Sequence, residues 1–223
     1  TGIGEVDSSP MAVYGMIHGP YSHEVTSGLR EIVLGEDPFE TEKIWHKMYR
    51  RNIYAGRRGL AIHAMGGIDM ALWDIKGKEA GMPVYQLLGG ATRSAVAAYA
   101  HAQGNSLTEL EDDVRRYWEE GFTVIRCQLG NYGGGGFLDR AEARGPKNHW
   151  PQDKAFDDDA YLQAIPDMFA HLRDKLGWGP KFTHDVHEHL APHNAVQLAK
   201  LLEPYRLFFL EDLLSPEQVG WYR

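Results

Sequence analysis

Asp185 and Glu211 each close a short strand-like run, Lys181–Asp185 and Leu207–Glu211. They stand 26 residues apart, the length of one strand–helix repeat. Equivalent positions on adjacent parallel strands point the same way, so this spacing can bring both carboxylates over one end of a sheet. Carboxylate oxygens on rigid strands, completed by water and substrate, suit a hard divalent cation such as Mg²⁺. Spacing alone also allows both acids to cap loops or to pair with Arg126.

His184, His187, His189 and His193 follow closely. His187, two residues past Asp185, can face a bound substrate, and an imidazole is suited to acid–base work near neutral pH. A paired-imidazole zinc site from His187 and His189 is the competing reading; His193 reads as a helix-start residue, and core or solvated roles account for at least two of the four. Arg126 lies inside an apolar run between Ile125 and Cys127. A cation there needs a partner, either a substrate carboxylate held by a bidentate fork or a structural acid. His101 can hydrogen-bond a substrate hydroxyl or simply pack. Tyr132 is a candidate base if its pKa is lowered, or a packing residue.

These residues need elements to carry them. From about residue 93 the chain alternates strand and helix. Strands are expected at Ala95–Ala100, Phe122–Gln128, Lys181–Asp185 and Leu207–Glu211. Helices are expected at Leu107–Glu120, Asp157–Leu176 and Pro192–Glu203. Such alternation makes a parallel sheet. His101, Arg126, Gln128, Asp185, His187 and Glu211 then collect at the strand C-terminal ends, where β/α barrels build sites. A closed barrel has eight strands; four are read here, so the sequence is expected to be a piece of a longer polypeptide.

Before residue 93 the grammar differs. Gly2–Val6 reads as a short strand. Asp37-Pro38-Phe39-Glu40 reads as a helix start. Leu60–Ala80 reads as a long helix stopped by Gly81 and Pro83. The Gly66-Gly67 pair inside it predicts close packing against a neighbour. The long loop Gly130–Asp153 carries four consecutive glycines, Gly133–Gly136. It fits neither a dinucleotide fingerprint nor a P-loop, and a surface loop and a lid are both open readings.

Composition excludes several classes. The 223 residues are 43% hydrophobic and 24% charged, which is globular. A net charge of -8 without a basic stripe argues against nucleic-acid binding. No run approaches the roughly 20 apolar residues of a membrane span. A single cysteine, Cys127, and no leader-like start point to a reducing, cytoplasmic setting.

Gly67-Ile68-Asp69-Met70-Ala71-Leu72-Trp73-Asp74-Ile75-Lys76-Gly77-Lys78, followed by Gly81-Met82-Pro83-Val84-Tyr85-Gln86-Leu87-Leu88-Gly89-Gly90, carries a resemblance. The stretch resembles the mandelate racemase and muconate-lactonising branch of the enolase superfamily, and the resemblance runs over the whole chain. It implies an α/β fold. Residues 1–92 look like the α+β capping domain without its first strands, and 93–223 like the first half of the (β/α) barrel, truncated at both ends. Within the branch, Ala100-His101-Ala102-Gln103-Gly104, Ile125-Arg126-Cys127-Gln128, His184-Asp185-Val186-His187 and Leu202–Asp212 resemble the barrel strands of mannonate dehydratase-like acid sugar dehydratases. The second of these lacks the Lys-x-Lys pair of racemases.

The resemblance implies Asp185 and Glu211 as Mg²⁺ ligands and His187 as acid/base. It implies Arg126 and His101 as substrate-site residues, Arg126 also tuning a catalytic tyrosine in the following loop. Tyr132 is the only tyrosine there, nearer Arg126 than the family's tyrosine stands. Asp7-Ser8-Ser9-Pro10 stands where the mannonate enzymes carry an asparagine, in a loop that helps choose the substrate. The implied reaction is dehydration of a sugar acid to a 2-keto-3-deoxy acid by an enzyme that forms homo-oligomers. Racemisation or epimerisation, or a non-catalytic sugar-acid-binding role, is the alternative. Because the net charge is -8, the field that attracts an anionic substrate must be local, from Mg²⁺ and Arg126.

Overall fold

A computed structural model describes residues 1–20, 27–130 and 156–222. The chain divides into two compact units, Thr1–Ala95 and Val96–Arg223.

The first unit is helical: α1 (Pro10–His18), α2 (Leu29–Val33), α3 (Thr41–Arg51), α4 (Leu60–Ala80) and α5 (Val84–Leu87). Helix α4 has the bounds its apolar pattern predicts. It stops at Gly81, whose left-handed φ of +63° turns its N–H back to the last carbonyls. Met65 and Leu72 of α4 share a core with Val13 of α1, Leu29 of α2, and Ile44 and Met48 of α3.

Two expectations change here. Gly2–Val6 joins no ladder among the described residues. It lies along α4 instead, with the Ile3 N–H donating to Asp74 Oδ2 at 2.8 Å. A Cβ on Gly67 would meet Val6 Cγ1 at 2.9 Å, so one of the paired glycines admits this segment. The helix expected from Asp37 begins only at Thr41. Asp37 Oδ1 accepts the Phe39 N–H at 2.9 Å, a local turn that competes with helix initiation.

The second unit is a four-stranded parallel sheet in the order β1-β2-β3-β4, with helices between strands. The elements are β1 (Ala100–Gly104), α6 (Leu107–Glu119), β2 (Val124–Leu129), α7 (Asp158–Leu176), β3 (Lys181–Asp185), α8 (Pro192–Leu202) and β4 (Phe209–Glu211). Ser106 and Asp157 cap α6 and α7, accepting the N–H groups of Glu109 and Ala160.

The first strand lies later than its apolar run suggests, at 100–104 rather than 95–100. Pairing decides this: Ala100 sits opposite Ile125 and Gly104 opposite Leu129. Gly104 has no Cβ where the backbone of Leu110 approaches, so α6 packs tightly onto the strand end. His101 is therefore the second residue of β1, not its end.

Alternation then sorts the faces. Ala102, Ile125, Cys127 and Phe182 point to the helices, joining Leu110, Val114, Ile165, Phe169 and Leu198 in one buried cluster. His101, Arg126, Gln128, Thr183, Asp185 and Glu211 fall on the opposite face.

Candidate active site

The register of β3 and β4 places Asp185 opposite Glu211. Both carboxylates lie on the face away from the helices. Arg126, midway along β2, reaches up to them: its Nη1 is 2.5 Å from Asp185 Oδ2 and 3.9 Å from Glu211 Oε2. The side chains of Arg126 and Asp185 are 8% and 2% exposed. Burial of this kind weakens screening and strengthens each charge's hold on the other.

His187 completes the cluster. Its Nδ1 is 2.5 Å from Asp185 Oδ1, and its backbone N–H donates to the same oxygen at 3.0 Å. A carboxylate only accepts, so this contact favours an Nδ1 that carries a proton. The backbone here is forced. His187 and Glu188 have φ of +54° and +58°, a region unfavourable to side-chain-bearing residues. The Glu188 N–H donates to Asp212 O at 2.8 Å and the Val186 N–H to Glu211 O at 3.0 Å, holding the turn against β4. Strain that the surroundings hold in place is a mark of functional sites.

The other histidines separate. His184 points to the helix side, where Nδ1 meets Cys127 O at 2.9 Å and Nε2 meets the Tyr161 hydroxyl at 2.8 Å. The carbonyl can only accept, so Nδ1–H donates to it and Nε2 accepts from Tyr161. Full burial lowers the His184 pKa to about 4 and keeps the ring neutral. His189 stacks on Phe156 with ring centroids 4.7 Å apart. The contacts to Cys127 and Tyr161 commit both ring nitrogens of His184 to the helix side, away from any zinc ligand set. Among the described residues, no three His, Cys, Asp or Glu side chains form a metal-binding group.

His101 stacks on Tyr99 with ring centroids 5.2 Å apart. Burial, then the positive field of Arg126, lowers its pKa. Tyr132 lies outside the described residues.

One member of the cluster was not visible in the sequence. Tyr99, just before β1, donates its hydroxyl to Glu211, 3.1 Å from each carboxylate oxygen. Burial, then Glu211, raises its pKa and keeps it a neutral donor. The two residues are 112 apart in sequence and lie at opposite edges of the sheet, at β1 and β4, so only the tertiary fold relates them.

Residues 1–89 match the mandelate racemase / muconate lactonizing enzyme N-terminal domain. A D-galactonate dehydratase family member from Paenibacillus sp. (strain JDR-2) is 58% identical over 87% of this chain and 48% of its own length. A D-mannonate dehydratase from Caulobacter vibrioides is 40% identical over 86% of this chain and 48% of its own. A solved enolase from Pantoea ananatis, with bound D-gluconate and Mg, is 42% identical. It superposes with a TM-score of 0.73 over 96% of this chain and 52% of that one. The chain spans about half the length of the relatives it matches.

Proposed function

Because this chain belongs to the enolase superfamily and is like its acid sugar dehydratases, we propose that it serves Mg²⁺-dependent loss of water from a sugar acid, giving a 2-keto-3-deoxy acid. The observation that carries this reading is the pair Asp185 and Glu211, side by side on β3 and β4 with one cationic nitrogen in reach of both.

The pair fits a divalent cation. Its donors are all carboxylate oxygens, and one point between them already meets both side chains. That is the donor chemistry Mg²⁺ prefers, with water and substrate filling the remaining positions. Bound there, Mg²⁺ would supply positive charge beside the substrate carboxylate, where negative charge builds as the neighbouring C–H proton leaves.

The chain's own residues do the rest. Arg126 offers its guanidinium to the substrate carboxylate. His187 moves the proton. In its protonated form Nδ1–H stays on Asp185 Oδ1 and Nε2–H is delivered to the leaving hydroxyl, which departs as water. The proton on carbon 2 goes to a base, either Tyr132 or the neutral form of His187 acting first in a syn elimination. The enol left by loss of water tautomerises to the 2-keto acid. His101, its pKa lowered by burial and Arg126, would hydrogen-bond a substrate hydroxyl.

The test is a Mg²⁺-dependent screen of the complete protein on aldonic and aldaric acids, detecting 2-keto-3-deoxy products. His187→Asn should lose about 10²–10⁴-fold in kcat. Exchange of the carbon-2 proton in D₂O without any dehydration would replace this reading by epimerisation.

A further inference from the structure

We propose that Gln128 is the group in this site that recognises a substrate hydroxyl next to the reacting end of the acid, a role that rests on the sugar-acid reading above. The starting observation is an unsatisfied amide. Gln128 is 4% exposed, yet neither its Oε1 nor its Nε2 has a hydrogen-bond partner among the described residues. Buried amides are almost always satisfied, because an unpaired one forfeits its bonds to water.

Its position says what is missing. Gln128 follows Arg126 by two residues on β2, so the two side chains share a face. Arg126 pairs with Thr183; carrying that register two residues on sets Gln128 level with Asp185, which in turn faces Glu211. The amide thus lies in the same layer as the two carboxylates, one strand away. On its other side it faces Gln103 of β1.

The chemistry of the amide selects the ligand. It offers two N–H donors and an accepting oxygen. A carboxylate only accepts and would leave the amide oxygen unpaired. A hydroxyl both donates and accepts and can satisfy either end. Being uncharged, Gln128 cannot take the carbon-2 proton, so its part is orientation and selection. A site with a buried polar group left unpaired discriminates strongly against ligands lacking the matching hydroxyl.

The test is calorimetric binding to the complete protein with Mg²⁺, using D-gluconate, D-mannonate, D-galactonate and hexanoate, an acid of equal length without hydroxyls. Wild type is compared with Gln128→Met and Gln128→Leu, together with melting of the ligand-free proteins. Expected is at least tenfold weaker binding of the preferred sugar acid by both variants and unchanged binding of hexanoate. Removal of the unpaired amide should also raise the ligand-free Tm of Gln128→Met by about 2–4 °C. If wild type prefers a sugar acid and both variants keep that preference, the role of Gln128 is overturned alone. A lower Tm in both variants also overturns it, by exposing a structural partner. If wild type binds no sugar acid better than hexanoate, the sugar-acid reading itself fails.

Discussion

Arg126 Nη1 lies 2.5 Å from Asp185 Oδ2 and 3.9 Å from Glu211 Oε2, so one guanidinium bridges two carboxylates on neighbouring strands. The bridge explains how β3 and β4 tolerate two acids side by side. Like charges at this separation repel strongly when partly buried, and a cation between them reverses the sign.

Arg126→Met removes that cation and leaves Asp185 buried and unpaired by it. Metal-free stability should fall by about 3–5 kcal/mol, the usual cost of breaking a buried ion pair. Melting at rising Mg²⁺ should narrow the gap to wild type, because a bound cation replaces the missing charge. A gap that stays constant at every Mg²⁺ concentration would count against Asp185 and Glu211 as a cation site.

Tyr99→Phe removes the hydroxyl that Glu211 accepts from. Groups that orient a metal ligand typically matter by about 10–100-fold in affinity. Calorimetric titration should show Mg²⁺ binding weakened by about that factor, with little change in folding.

Tyr161→Phe strands His184 Nε2, which has the Tyr161 hydroxyl at 2.8 Å in a fully buried setting. Urea unfolding should register a loss of about 1–3 kcal/mol, the cost of an unsatisfied buried acceptor.

His184 also sets a pH dependence of stability. Its folded pKa of about 4 lies below the ordinary imidazole value of about 6.5. Between these values the unfolded chain binds the proton and the folded chain does not. The contribution is therefore complete above about pH 6.5 and is lost as pH falls toward 4. Denaturant melts at pH 7.5, 6 and 5 should show a slope over this interval that His184→Gln flattens.

The bounds of α4 follow from a local pattern, apolar spacing closed by Gly81, and those of β3 from its place between two helix patterns. The layer of Asp185 and Glu211 follows from the repeat length between them. Local signals failed where tertiary pairing decides. The apolar run 95–100 looked like a strand, but the ladder with β2 begins at Ala100. Gly2–Val6 looked like a strand, but its neighbour is a helix.

By itself the sequence determined the strand–helix alternation, the shared level of Asp185 and Glu211, and the residue types available for acid–base and metal chemistry. These depend on periods of 2 and 3.6, which a few neighbouring residues encode. Only the tertiary structure decided that Arg126 chooses Asp185, that Tyr99 holds Glu211, that His184 turns inward while His187 turns toward the carboxylates, and that Gln128 is buried without a partner among the described residues. Those outcomes depend on register and distance between strands far apart in the chain, and no local pattern carries that information.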